Sequence, residues 1–260
     1  MKRTDFQTVF ITGASSGLGK ALAVYFAGKA QKLILTARSQ EKLQSLKQQL
    51  QKKISIECIA ADLSSCKDRQ QLAEAVAKEA PDLLINNAGL GLYGPALDHE
   101  IEEQLNILTV NAKALMHLTL AGAKALKDAQ KKGTIVNIAS VAGFFPFPYF
   151  ASYSASKAFV INFSQAMDEE LKDFGIRVLC ACPGQIHTKF RSKAAKNTIQ
   201  KTSPLAMSQD KAVQKILKQL ALKKPISIFD AKYHLGLLFL RLIPRKIRSM
   251  LLKRSIQKRC

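Results

Sequence analysis

Tyr153 and Lys157 stand four positions apart in the stretch YSASK, 153 to 157. On a helix that spacing sets the phenol and the ammonium on one face, a turn apart. A free tyrosine loses its proton only near pH ~10 and is a poor base at neutrality. A cation beside it favours the tyrosinate and lowers that value, so such a pair can pass a proton to or from a substrate oxygen. An ordinary i, i+4 pair on a surface helix has the same spacing, and these five residues alone do not separate the two readings.

A second chemical signal is TGASSGLG, residues 12 to 19, directly after the apolar run VFIT. Gly13, Gly17 and Gly19 let the chain turn sharply, approach a ligand and pack the next helix on a sheet. With Ser15, Ser16 and Leu18 they form a candidate phosphate loop, in which the helix start offers N–H groups and a positive dipole end. The next apolar run ends at Ala37 and Arg38, and positions 33 to 40 hold no acid. A site built for NAD places an acid there to hold the ribose 2′-hydroxyl. Arg38 points instead to NADP(H), with its guanidinium on the 2′-phosphate; a solvated surface arginine is the alternative.

The elements that must position these groups alternate. VFIT (9–12), KLILTA (32–37), ISIECIA (54–60), LLINNA (83–88), GTIVNIAS (133–140) and IRVLCACPG (176–184) read as strands. Their continuous apolar character suits a parallel sheet covered on both faces. Helical stretches lie between them at Leu18–Ala27, Gln40–Lys52, Cys66–Glu79, Ile101–Gln130 and Tyr153–Phe174, and Ile226, Ile228 and Phe229 suit a last strand. The pattern predicts an α/β fold, a Rossmann-type doubly wound parallel sheet in a single domain, residues 1–230, with a helical extension, 231–260.

The 260 residues and a hydrophobic share of 47% can bury a sizeable core. The net charge of +21 is uneven: residues 191–260 hold 18 of the 40 Lys and Arg but 2 of the 19 Asp and Glu. Such a basic segment suits a membrane, a nucleic acid or an anionic partner. The five cysteines and four histidines show no metal-site spacing, so no metal is expected. The odd cysteine count, and a start that reads as a first strand, suggest a reducing cytoplasm.

Taken together the residues resemble the classical short-chain dehydrogenase/reductases. TGASSGLG is similar to their cofactor loop, NNAG (86–89) to their fourth-strand motif, and PGQIHT (183–188) to their PGxxxT segment; Asn111, Ser140, Tyr153 and Lys157 fall in the family's order. The resemblance spans roughly residues 5 to 230. It implies that Tyr153 is the general acid toward a carbonyl oxygen and that Ser140 hydrogen-bonds that oxygen. Lys157 would bind the nicotinamide ribose and lower the tyrosine pKa, and Asn111 would hold a water linking Lys157 to solvent. Asp62 and Leu63 would sit by the adenine, and Asn87, Ala88 and Gly89 would line the dinucleotide cleft. Pro183, Gly184, Ile186 and Thr188 would close over the nicotinamide end. The family's habit implies a dimer or tetramer.

Between Ser140 and Tyr153 the run VAGFFPFPYFAS carries Phe144, Phe145, Phe147 and Phe150, which in this fold border the substrate cleft. Aromatic walls favour an apolar ketone or aldehyde. A lid is expected over about 189–222; its Lys189, Arg191, Lys193, Lys196 and Lys201 could attract an anionic substrate, or be a solvated face. The expected activity is an NADPH-dependent carbonyl reductase or alcohol dehydrogenase. The alternatives are a 3-oxoacyl-thioester reductase and a non-catalytic NADP-binding sensor or scaffold.

Beyond residue 231, LGLLFL is too short to span a bilayer. Pro244 opens a second helix whose Ile247, Met250 and Leu251 share a face with Ile243, away from most of Arg245, Lys246, Arg248 and Lys253. That arrangement suits residues 235–259 lying on an anionic membrane, on its inner face; cover for the domain's own core or a twin subunit competes with it. No nucleic-acid reader motif accompanies the charge, so no nucleic acid is expected.

Overall fold

The computed structural model describes residues 6–51, 54–196 and 206–257. Lys52, Lys201, the rest of 197–205 and the end of the extension, 258–260, lie outside the described residues.

Seven parallel strands form one sheet in the order β3-β2-β1-β4-β5-β6-β7. The strands are β1 Phe6–Thr12, β2 Ala30–Ala37, β3 Ser55–Ala60, β4 Leu83–Asn86, β5 Gly133–Ile138, β6 Ile176–Cys182 and β7 Ile226–Ile228. Alternate residues of each strand feed opposite cores. Val9 and Ile11 pack with α1 (Gly17–Phe26), α2 (Gln40–Leu50) and α8 (Gln209–Leu222). Phe10 packs with α3 (Cys66–Glu79), α5 (Leu115–Asp128) and α6 (Ala151–Leu171). Burial on both faces is why these strands carry no polar alternation. Each fully buried Leu, Ile or Phe here contributes about 1.5–3 kcal/mol.

Helix starts follow local chemistry. Ser39, Ser65 and Ser208 accept the backbone N–H groups of Lys42, Asp68 and Lys211 as N-caps of α2, α3 and α8. The helix expected over 101–130 is interrupted. Between α4 (Ile101–Leu108) and α5 lies a wide π turn, Thr109–Ala114, and Asn111 sits in it, fully buried. Such turns insert a residue into the helical ladder and re-aim side chains at functional sites.

Two expectations need correction. The lid differs from the expected 189–222: among its described residues the cleft is lined by Lys189, by Phe190, Arg191 and Lys193 of α7 (Phe190–Ala194), and by Gln209 at the start of α8, not by the rest of that helix. α8 belongs to the main core, because its Ala212, Val213 and Ile216 are buried with β1 and α1. The extension also does more than trail from the domain. It forms a hairpin of α9 (Ala231–Leu242) and α10 (Arg245–Gln257) that folds back over the open end of the sheet. Ile243 has extended backbone between the two helices and so is not on the second one.

Candidate active site

The strand order reverses between β1 and β4, and a cleft of about 1020 Å³ opens beyond their carboxyl ends. Gly13 and Gly17 have φ of +67° and +55°, the left-handed region that favours glycine. The first turn of α1 carries no side-chain cap, so its N–H groups face the cleft without a side-chain acceptor. Thr12 pins the neighbouring segment: its hydroxyl accepts the N–H groups of Asn87 and Ala88 at 3.0 Å each. Asn87 returns a hydrogen bond to the Thr12 carbonyl at 2.9 Å.

Gly13, Ser15, Ser16, Gly17 and Leu18 line this part of the cleft, with Asn87, Ala88 and Gly89 opposite. Arg38, Asp62 and Leu63 line its far end, and Lys42 joins them. Burial pushes the Asp62 carboxyl up, but hydrogen bonds from Ser64 and the Arg38 charge outweigh it and hold the carboxyl below its ordinary value. Pro183, Gly184, Ile186 and Thr188 close the other side. Gly19 does not line the cleft; it packs against the Gly13 carbonyl beneath the loop. A loop held open by left-handed glycines and an uncapped helix start fit the phosphates of a dinucleotide.

Ser140, Tyr153 and Lys157 meet at one wall. Ser140 follows β5, and its hydroxyl accepts the Ala142 N–H at 3.2 Å and hydrogen-bonds the Tyr153 phenol. Tyr153 and Lys157 lie on the buried face of α6. The Lys157 ammonium donates to the Ile138 carbonyl at 2.8 Å. Asn111 is close behind but lines no part of the cleft. Its amide donates to the Leu90 carbonyl and the Ser156 hydroxyl at 2.8 and 3.0 Å, and its oxygen accepts the Leu90 N–H at 2.8 Å. The side chain thus ties the loop after β4 to α6 one residue from Lys157.

The electrostatics differ from the sequence expectation. Burial pushes the Tyr153 phenol well above its ordinary value; the Ser140 hydrogen bond pulls it down by less, and Tyr93 adds to the rise. The same burial lowers the Lys157 ammonium to about 8. Burial is the largest influence on the phenol, and the Lys157 ammonium lies 5.7 Å from the centre of its ring. The phenol is therefore held as an acid, the form that can protonate a substrate oxygen.

Around Tyr153 the wall is aromatic. Tyr93 stacks on Phe150 at 4.3 Å between centroids, Phe150 on Tyr153 at 4.2 Å, and Phe190 of α7 leans on Tyr153 at 5.6 Å. Phe145, Phe147 and Phe150 line the cleft, as the sequence predicts, but Phe144 does not. The 3₁₀ turn Val141–Phe144 directs Phe144 the other way, against the buried cluster that includes Val160 and Cys180. The hairpin supplies the roof through Tyr233, Gly236, Leu237, Leu240, Leu252 and Ser255. The Tyr233 hydroxyl accepts the Gln185 N–H at 3.2 Å. From α10, Arg248 lies 5.2 Å over the Phe145 ring and donates to the Leu240 carbonyl at 3.3 Å.

A family model described as short chain dehydrogenase matches residues 7–199. The chain belongs to the short-chain dehydrogenases. It is 36% identical over 189 residues to a sulfoacetaldehyde reductase of Chromohalobacter salexigens, covering 70% of this chain and 73% of that one. It is 33% identical over 203 residues to a very-long-chain 3-oxoacyl-CoA reductase of Bos taurus, covering 75% of this chain and 64% of that one. A short-chain dehydrogenase from Sphingobium yanoikuyae in complex with NADPH superposes with a TM-score of 0.80 at 31% identity, covering 92% of this chain and 97% of that one. As a short-chain dehydrogenase the chain is an oxidoreductase of CH–OH and C=O groups that uses a nicotinamide dinucleotide.

Sequence reasoning missed several lining residues of this short-chain dehydrogenase. Tyr93, Phe190 and Tyr233 were aromatic residues beside recognised segments, which was the available signal. Leu237, Leu240 and Leu252 lie in the extension and gave none toward the cleft.

Proposed function

We propose that this short-chain dehydrogenase is an NADPH-dependent reductase of apolar ketones or aldehydes. The observation that carries this reading is the meeting of a neutral phenol, Tyr153, with Ser140 in a cleft whose lining includes Phe145, Phe147, Phe150 and Leu240. The nicotinamide, when bound, supplies the hydride equivalent. Tyr153 gives a proton to the developing alkoxide, and Ser140 donates a hydrogen bond to the same oxygen. Lys157 holds the ribose, Arg38 the 2′-phosphate, and Asn111 positions Lys157 and carries the proton path behind it. The 3-oxoacyl-thioester reading is favoured by the cations of α7 and by the name of the Bos taurus relative.

The outer face of the hairpin we read as a seat on an anionic lipid surface at the cytoplasmic side of a membrane. Leu235, Leu238, Phe239, Leu242, Ile247, Met250 and Leu251 are all exposed, and residues 231–257 carry Lys and Arg but no acid. No described helix is long and apolar enough to cross a membrane. Exposed Ile101, Leu105, Leu108, Met116 and Leu120 on α4 and α5 support self-association as a dimer or tetramer.

The test is NADPH oxidation against a panel of apolar ketones, aldehydes and 3-oxoacyl thioesters, with Tyr153→Phe as control. We expect turnover that falls by about 10²–10⁴-fold in the variant while NADPH binding is kept. Tight NADPH binding with no turnover of any member would favour a sensor or scaffold.

A further inference from the structure

The charge on the cleft is one-sided. Among the described residues its lining contains Lys20, Arg38, Lys42, Lys157, Lys189, Arg191 and Lys193, against one acid, Asp62. Four of these have a place in a dinucleotide site: Lys20, Arg38 and Lys42 flank the glycine loop and the end of β2, and Lys157 lies beside Tyr153. The three from α7 and its flank do not.

Arg191 is the most informative of the three. Its Nε is buried and has no hydrogen-bond partner. Among the described residues its side chain makes one hydrogen bond, a long one from Nη1 to the Gln185 amide oxygen at 3.5 Å. A buried donor without an acceptor costs about 1–3 kcal/mol, more when charged, and calls for an explanation. Arg191 also stands at a definite place. The preceding residue, Phe190, leans on the Tyr153 ring, and Gln185 is held by Tyr233 of the hairpin. Arg191 thus lines the cleft next in the chain to Phe190 and in contact with Gln185. The roof of the same cleft includes the aliphatic side chains of Leu237, Leu240 and Leu252.

We propose that the cleft takes an amphiphilic anion: Arg191, with Lys189 and Lys193 nearby, holds a carboxylate, sulfonate or phosphate, and the alkyl part lies under the hairpin. A planar guanidinium with free donors suits such oxyanions. The inference rests on the reading of this cleft as a substrate site, and it deepens that reading by naming the substrate class.

The experiment is calorimetry on the full-length, NADPH-loaded protein with octane-1-sulfonate, butane-1-sulfonate and 1-octanol, none of which can be reduced. The expected result is octanesulfonate binding at least about tenfold tighter than octanol. Arg191→Met should abolish that preference, with Arg191→Lys intermediate, while the NADPH Kd moves less than about twofold. Shortening the chain should cost about fourfold per methylene removed. Equal binding of sulfonate and alcohol would overturn the proposal, as would affinity independent of chain length. So would an Arg191→Met variant that loses NADPH and keeps sulfonate, since Arg191 would then serve the cofactor. If Arg191-dependent sulfonate binding appears but no carbonyl compound is reduced, this inference stands and the reductase reading falls. Turnover of neutral ketones without sulfonate preference has the reverse meaning.

Discussion

The ring of Tyr233 fills the space in which Gly184 has no side chain. A Cβ at residue 184 would fall within the ring edge. This pair joins the segment after β6 to the start of α9, and the Gln185 N–H to Tyr233 hydroxyl bond reinforces it. Gly184→Ala should therefore displace the hairpin. Limited proteolysis should cut faster within 231–257, and KM for an apolar carbonyl should rise by about tenfold. Tyr233→Gly should relieve the clash, so the double variant should be less impaired than the sum of the singles. Strict additivity would mean that the two residues do not press on each other.

Lys157 gives a pH signature. Burial lowers its ammonium from the ordinary 10.5 to about 8. Between those values the unfolded chain binds a proton that the folded chain does not, so stability rises with pH across that window. Below about pH 8 both states hold the proton and the contribution is flat. The unfolding free energy of the wild type relative to Lys157→Met, measured without added cofactor, should increase from pH 8 to pH 10. A constant difference would show a solvated, unshifted lysine.

Arg38 should decide between the two dinucleotides. Loss of charge-assisted bonds to a phosphate costs about 1.5–3 kcal/mol, so Arg38→Asp should weaken NADPH by about 10–100-fold and leave NADH within a few fold. Lys42→Ala should have a smaller effect in the same sense. Fluorescence titration of each cofactor reads both, and an unchanged NADPH to NADH ratio would remove Arg38 from the site.

The outer face of the hairpin can be tested without touching the cleft, because Leu238 and Phe239 are exposed and line no part of it. The wild type should float with phosphatidylserine vesicles and release at high salt. The double variant Leu238→Glu, Phe239→Glu should stay in solution with its turnover of a soluble substrate intact. Equal flotation of both proteins would dismiss the lipid seat.

Some of this was legible in the residues and some was not. The sheet could be read because strands buried on two faces are continuously apolar, and the Ser140, Tyr153 and Lys157 set because its order and spacing resemble those of the short-chain dehydrogenases. Phe144 misled because the 3₁₀ turn ends on it and Phe145 is extended: Phe145 faces the cleft while Phe144 packs on the cluster that holds Cys180. α8 misled because an amphipathic helix reads alike over a lid or a core. The roof was hidden for a different reason. Where the extension folds is set by docking at Gly184 and Gln185, a long-range contact that periodicity does not carry.

The order of the strands bears on how the protein is made. β1 pairs on one side with β2, but on the other with β4, Val9 against Leu83. Thr12 fastens to Asn87 and Ala88, the residues that follow β4, so its bonds join segments about 75 residues apart. A chain emerging from the ribosome therefore synthesises the glycine loop first and completes its surroundings last, when residues near 184 and then 233 arrive. Non-local parallel pairing of this kind folds slowly. The cleft should be absent from every long nascent intermediate, and cofactor should rescue the finished chain rather than guide its early collapse.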